Sequence, residues 1–193
     1  MFFRSERLFL RPAWPEDWSD LFHAVQHADI ARNLAAVPWP YGPEDAKAYA
    51  AQPQDRRYPH FLVTLPAGGE TIGTVALMPG PGGRTELGYW IARAHWGQGY
   101  ATEAARGALA LARTLGHARV HAAHFQDNPA SGRVLRKAGF RPTGRIEQCY
   151  SRARGTTVAA VLHAIELASP NDCGPRDGGG FDGLAGDPLM RAA

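Results

Sequence analysis

Residues 95–112 read HWGQGYATEAARGALALA, and the reading of the chain turns on what its first two glycines are for. Behind them Ala101, Ala104, Ala105, Ala108, Leu109, Leu111, Ala112 and Leu115 recur at helical spacing, and Gly116 is a natural stop. This is the longest helix the sequence predicts. The first N–H groups of such a helix lack intrahelical partners, its dipole adds partial positive charge there, and glycines let a ligand approach the backbone. The turn therefore suits an anion. A dinucleotide fingerprint would need an early βαβ unit with an acidic residue about 20 positions on, and RVHAAHF at 119–125 offers none. A nucleoside-triphosphate loop would need Gly-Lys-Ser or Gly-Lys-Thr, which this turn lacks. A plain strand-to-helix corner is the ligand-free alternative.

The run just before the turn, TELGYWIA at 85–92, reads as a strand. A ligand with a diphosphate at the turn and an amide-bearing arm along that strand would use both features, and coenzyme A has that shape. Further upstream, ERLFLRPA (6–13) reads as one short strand. WPEDWSDLFHAVQ (14–26) follows as a helix with Pro15 at its first position and Leu21, Phe22 and Val25 on its buried face. Pro43, Glu44 and Asp45 start another short helix through Tyr49, leaving Trp39 and Tyr41 on a loop. PHFLVTLP and TIGTVALMP form a hairpin across AGGE, and PGPGGR turns the second into TELGYWIA, so three successive strands lie antiparallel. Downstream come RVHAAHF as a strand, NPASGRVLRKAG (128–139) as a helix capped by Asn128, and FRPTGRIEQCY and TTVAAVLHAIEL as two closing strands.

At 193 residues, with 45% hydrophobic and 20% charged, the chain holds one domain with a sizeable core. From residue 168 the composition turns to Gly, Pro and Asp, too polar to bury a core of its own, so the domain is placed at 1–168 and a tail at 169–193. In that tail Phe181, Leu184 and Leu189 could pack on the body, and DGGGFDG is a single weak copy of a calcium-type repeat. The formal charge of +3 is scattered without a like-charge run, which favours an anionic cofactor and gives no nucleic-acid signature. Two cysteines, Cys149 and Cys173, make no disulfide framework. The N-terminal dozen residues carry Arg4, Arg7 and Arg11 with no secretory apolar run, and no segment reaches the roughly 18 apolar residues of a membrane span. The expectation is a soluble cytoplasmic protein with no membrane partner.

Taken together, ELGYWIARAHWGQGYATEAARGALALA and NPASGRVLRKAGF resemble the GCN5-related N-acetyltransferases (GNAT), and within them the Rim-type ribosomal-protein N-terminal alanine acetyltransferases. The resemblance covers residues 5–167. It implies an α+β fold, a largely antiparallel mixed sheet of six to seven strands flanked by helices, with acetyl-CoA as co-substrate. Carried over position by position, the pyrophosphate loop falls on Trp96, Gly97, Gln98, Gly99, Tyr100 and Ala101, with the backbone amides of Gln98 through Thr102 as the implied diphosphate ligands. Trp96 stands where the family often has Arg or Gln. Main-chain groups of Trp90, Ile91 and Ala92 are implied to pair with the pantetheine arm. Asn128 and Ser131 match the family's NxxS, where Asn contacts pantetheine and the hydroxyl lies near the thioester sulfur; a plain helix cap is the other reading of Asn128.

Acyl transfer to an amine needs a neutral amine, a stabilised oxyanion and a thiolate leaving group. A protein α-amine titrates near 8 and a lysine near 10.4, so an N-terminal amine needs little help from a base. A strand N–H near Ile91 could hold the oxyanion, and no covalent acyl-enzyme is required. Glu86 is the candidate base, sharing a strand face with Gly88 and Trp90, and an ordinary surface carboxylate is the alternative. Ser131 is a positioning group, and Tyr150 an alternative proton donor that could equally be a packed sheet aromatic. Cys149 lacks a His and carboxylate partner and reads as a bystander. His121 and His124 point to opposite faces of their strand, so no metal is expected. Trp39 and Tyr41, with the turn YSRARGT (150–156), should line the acceptor pocket, a structural plug being the other reading of Trp39; Arg152 and Arg154 either meet an acidic group on the acceptor or solvate the hairpin tip, the latter favoured. The acceptor is a protein N-terminus or a small-molecule amine, and a homodimer is compatible with the resemblance. A succinyl-CoA-dependent transferase and a catalytically idle acyl-CoA sensor are the competing readings.

Overall fold

A computed structural model of the chain describes residues 1–167; the tail expected from 169, with Cys173, Phe181, Leu184, Leu189 and the DGGGFDG run, lies outside the described residues. Eight strands form one sheet: β1 (Phe3–Arg4), β2 (Phe9–Arg11), β3 (His60–Thr64), β4 (Thr71–Pro79), β5 (Thr85–Ile91), β6 (Arg119–Phe125), β7 (Arg141–Ser151) and β8 (Thr156–Glu166). Their order is β1-β2-β3-β4-β5-β6-β8-β7. The sheet is one strand larger than the expected six to seven, because the opening run pairs back on itself. Phe3 faces Leu10 and Arg4 faces Phe9 across a turn that Ser5 closes. The Ser5 N–H donates to the Leu8 carbonyl at 2.9 Å, and the Leu8 N–H donates to Ser5 Oγ at 3.2 Å. A serine side chain thus does the work usually signalled by Gly or Asn.

Every strand pair is antiparallel except β5 and β6. Parallel neighbours need a crossover, and α4 (Tyr100–Thr114) supplies it. The β5–β6 pairing covers only Thr85 with Val120 and Glu86 with His121, after which the strands diverge and the β5 edge from Leu87 to Ile91 is left without a strand partner.

Pleat alternation divides β5 between two cores. Leu87, Tyr89 and Ile91 pack into the main core under α4 and α5 (Pro129–Ala138), while Trp90 joins the smaller cluster of Leu21, Ala46 and Leu62 on the opposite face. That smaller cluster lies beneath α1 (Trp18–Val25) and α3 (Pro43–Ala50). Four further residues, Ala28–Ala31, make the short α2. The alanine stripe of α4 brings its axis close to the sheet, and at Gly107 a Cβ would come 2.9 Å from Phe3 Cε1 and 3.0 Å from Leu10 Cδ1. A larger residue there would displace the Phe3 ring and the Leu10 side chain that seat the N-terminal hairpin. Among the described residues no helix is long and apolar enough to cross a membrane.

Candidate active site

At the divergent end of β5 a cleft of about 380 Å³ opens between α2, the first turn of α4 and the first turns of α5. Trp90, Ile91, Trp96, Gly97, Gly99, Tyr100, Ala101, Thr102, Asn128 and Ser131 all line it, so residues drawn from positions 90 to 131 meet in one cleft; Ala92 and Gln98 of the expected set do not line it. Gly97 (φ +77°) and Gly99 (φ +85°) both adopt the left-handed conformation that sharpens the turn. The N–H groups of Gln98, Gly99, Tyr100 and Ala101 have no acceptor among the described residues, whereas those of Thr102 and Glu103 both donate to the Gly99 carbonyl at 3.1 Å. The free donors therefore stop at Ala101, and the Thr102 amide, expected to join them, is already engaged.

The turn is braced from a distance. Arg7, on the β1–β2 turn, donates from Nη1 to the Gln98 carbonyl at 3.1 Å and from Nε to Glu103 Oε2 at 2.8 Å, and stacks 4.7 Å over the Tyr100 ring. Glu103 also accepts from Ser5 Oγ at 2.7 Å and from the Arg7 N–H at 2.8 Å. Burial alone would raise the Glu103 carboxyl, but the bonds from Ser5 and Arg7 overcome it and hold the group below the usual carboxylate range. A cation thus stands beside the free amides although Trp96 occupies the position where Arg is frequent. The Trp96 indole instead donates to the Ile91 carbonyl at 2.6 Å, tying the turn to the end of β5.

Alternation also decides which backbone groups of β5 face the gap. The Ala92 N–H donates to Ile72 at 2.7 Å on the β4 side, and Trp90 two residues back turns the same way. Of the three residues expected to pair with a ligand arm, Trp90 and Ala92 are corrected: their main-chain groups belong to β4. The N–H groups of Ile91 and Tyr89 point into the gap. The Tyr89 side chain, missed by the sequence reading, lines the same cleft with its hydroxyl 2.8 Å from Ser131 Oγ and donating to the Ser131 carbonyl at 3.2 Å. Burial pushes its phenol up to about 12, against the opposing effect of the Ser131 bond. Asn128 caps α5, its Oδ1 accepting from the Ser131 N–H at 3.2 Å, so one side chain fixes the first turn that carries Ser131.

Other expected residues lie elsewhere. Glu86 sits four residues back along β5, its Oε1 2.7 Å from Arg84 Nε, and does not line the cleft. Tyr150 is 58% exposed on β7, an edge strand. Trp39 is exposed, and Tyr41 packs into the smaller core, its phenol pushed up to about 12 first by burial and then by Asp45 and Tyr49. Neither lines the cleft; its outer wall is built from Asp29, Ile30, Asn33 and Leu34 on and after α2. Arg152 and Arg154 do not solvate the hairpin tip. Arg154 makes a bidentate pair with Asp127 at 2.7 and 3.0 Å and donates to the Arg32 carbonyl at 2.6 Å, while Arg152 donates to the Ala36 carbonyl at 3.2 Å. The hairpin thereby clasps the α2 wall. Burial, then Glu86 and Glu147, push the Cys149 thiol up, away from the thiolate form. His117 is spent on Thr85 Oγ1 and the Arg57 carbonyl, both at 2.8 Å.

A family model described as an acetyltransferase (GNAT) domain matches residues 7–141. The chain is 28% identical over 174 residues to the uncharacterized N-acetyltransferase YoaA of Bacillus subtilis, covering 83% of this chain and 94% of that one. Its fold is similar to that of a GNAT acetyltransferase from Bacillus anthracis, with a TM-score of 0.75 at 23% identity over 86% of this chain and 98% of that one. It is also similar to RimL, a ribosomal L7/L12 α-N-protein acetyltransferase solved in complex with coenzyme A, with a TM-score of 0.70 at 18% identity over 86% and 98% of the two chains. With a glycine turn, a splayed strand pair and an NxxS helix brought to one cleft, and a family model spanning most of the chain, the protein belongs to the GNAT acetyltransferases.

Proposed function

We propose that the protein transfers an acetyl group from acetyl-CoA directly to a primary amine, on a protein N-terminus or a small molecule, without a covalent acyl-enzyme. The observation that carries this reading is the juxtaposition in one cleft of the free N–H donors of Gly99, Tyr100 and Ala101, with that of Gln98 beside them, and the unpaired edge of β5. The donors suit a diphosphate and the edge suits an amide-bearing arm, so the residues present fit coenzyme A. Arg7 adds positive charge beside the turn, and Arg133 and Lys137 of α5 add more on the cleft wall.

The reaction forms a bond from the amine nitrogen to the acyl carbon and breaks the carbon–sulfur bond, and the chain's own groups are placed for each demand. The Ile91 N–H faces the gap as a fixed donor for negative charge developing on the acyl oxygen, since its strand dipole needs no proton transfer. The Ser131 hydroxyl, 2.8 Å from the Tyr89 oxygen, lines the cleft as a positioning group that turns its proton from Tyr89 to the departing sulfur as the thiolate forms. A phenol raised to about 12 is a weak acid, so Tyr89 serves Ser131 by position. An acceptor α-amine with a pKa near 8 gives its proton to solvent at neutral pH without a strong base. The likeness of the motifs to Rim-type enzymes supports a protein α-amine as acceptor.

The test is thiol release from acetyl-CoA and succinyl-CoA against a panel of N-terminal peptides, lysine and small primary amines, with calorimetry of coenzyme A binding alongside. Amine-dependent release from acetyl-CoA is the expected result. Tight coenzyme A binding with no turnover on any amine would overturn the enzyme reading in favour of a sensor, and faster release from succinyl-CoA would overturn the acetyl assignment.

A further inference from the structure

At the foot of the sheet, the end away from the cleft, lies a second concavity of about 920 Å³, framed by the β4–β5 turn, the start of β6, the end of β8 and the start of β7. It shares no lining residue with the cleft. Arg84 lines one and Ile91 the other, and seven strand residues at about 3.3 Å each put them roughly 20 Å apart. Nothing in acyl transfer uses this groove.

Its charge is one-sided: Arg84, Arg119, Arg141 and Arg145 line it against a single carboxylate, Glu166. Two of these guanidiniums are spent. Arg84 holds Glu86 and, bidentately, Glu147, and Arg119 sits 3.0 Å from Glu166. Arg141 and Arg145 are exposed and make no salt bridge among the described residues, although Arg145 lies near enough to Glu147 to help hold that carboxyl low. Their placement comes from a break in the β7–β8 ladder. Pairing passes from Pro142 opposite His163 to Ile146 opposite Val161, so three residues of β7 face one of β8. Such a bulge redirects side chains. This one is fixed: Thr143 Oγ1 donates to the Leu162 carbonyl at 3.0 Å and accepts from the Arg145 N–H at 3.2 Å, with Gly144 at φ +78°.

We propose that this groove docks an acidic peptide segment of a partner protein, with Arg141 and Arg145 each taking a carboxylate. Guanidinium forks match carboxylate and phosphate geometry alike, so the shape of the groove decides between them. A volume of about 920 Å³ is far larger than one inorganic anion needs, and Arg141 and Arg145 stand four positions apart on β7, so a chain bearing spaced carboxylates can engage both. No Phe, Tyr or Trp lines it to stack a nucleobase, which removes the main source of single-stranded nucleic-acid affinity.

The experiment is fluorescence anisotropy of the full chain with a fluorescein-labelled hexaglutamate peptide, in the absence of acyl-CoA, with labelled hexalysine and oligothymidylate as the other arms. Saturable binding of hexaglutamate alone is expected, weakening as salt rises because the contacts are exposed. Since an exposed ion pair is worth less than one tenfold step, Arg141→Ala and Arg145→Ala should each weaken binding about two- to fivefold, while coenzyme A affinity stays at the wild-type value. Both side chains are exposed, and an unchanged circular dichroism spectrum will show that the variants fold. Absence of saturable hexaglutamate binding, binding untouched by both substitutions, or equal binding of oligothymidylate would each overturn the proposal. Because the readout needs neither donor nor acceptor, its failure leaves the acyl-transfer reading standing.

Discussion

Replacing Arg7 by alanine separates two roles that the guanidinium plays at the start of α4. Its ion pair with Glu103 spans 2.7 Å, but the Arg7 side chain is 44% exposed against 16% for Glu103, so solvent screening limits it to about 0.5–1 kcal/mol. Stacking over Tyr100 at an exposed site adds about 0.5 kcal/mol. Glu103 is not orphaned by the change, because Ser5 Oγ and the main-chain N–H of residue 7 still reach it. The expected loss is then about 1–1.5 kcal/mol, which in a domain of this size lowers Tm by about 2–6 °C. Coenzyme A affinity should fall about tenfold, the worth of one charge-assisted contact beside the free amides. Calorimetry of coenzyme A binding and thermal unfolding by circular dichroism, run in one buffer, read the two effects independently. Arg7→Lys keeps the charge but cannot hold Glu103 and the Gln98 carbonyl together, so it should recover part of the affinity and little of the stability. A lowered Tm with coenzyme A affinity unchanged would refute the binding role and leave Arg7 as a strut.

Three further outcomes follow from contacts already described. Tyr89→Phe keeps the buried ring but removes the hydroxyl from Ser131, so kcat should fall about tenfold or more with KM for acetyl-CoA little changed, and adding Ser131→Ala should cost little beyond that if the two act as one unit; additive losses in steady-state assays with any amine found active would break the pairing. Arg154→Ala should destabilise by about 1–3 kcal/mol and, in hydrogen exchange, release protection first around residue 32, since the Arg32 carbonyl and Asp127 lose their donor while residues 34–36 keep theirs from Ser151 and Arg152. Burial tends to raise the Asp17 carboxyl, but Arg11, bound bidentately at 2.7 Å, and the Trp14 N–H outweigh it and leave its pKa lowered. A depressed carboxyl contributes stability that is present above its unfolded pKa and lost as pH falls through the folded one, so Tm should decline below about pH 4 and Asp17→Asn should flatten that decline. An equally steep acid limb in the variant would assign it to other carboxylates.

The parts of this molecule that were legible in sequence are those whose cause is local. The alanine and leucine spacing of α4, the glycine pair before it, Asn128 three residues before Ser131 and the alternation through β5 each carry their signal within about ten residues. What was illegible is long-range or unpunctuated. Arg7 reaches Gln98 and Glu103 across more than ninety positions, and nothing near either end marks the partner. Tyr89 meets Ser131 only because the divergence of β5 from β6 exposes it to α5. The β1–β2 turn lacks Gly, Pro or Asn, so the two-residue β1 before it went unread and only the strand within 6–13 was expected. Trp39 and Tyr41 drew notice as loop aromatics, yet the cleft wall came from the four-residue α2, too short to show a period. Glu86 shares the Trp90 face of β5, and its neighbour Arg84 binds it at the end of the strand away from the cleft.

The seat of Phe3 and Leu10 against Gly107 has a practical side for anyone handling the protein. Residues 3–11 supply two edge strands, the ring and leucine that fill the gap over α4, and the guanidinium that steadies the donor turn. An amino-terminal trim past residue 11, or a tag-removing protease that cuts beyond it, would remove all of these at once. Such a chain should still fold around β3–β8 and yet bind coenzyme A poorly, and an inactive preparation would then report how it was cut rather than what the enzyme can do.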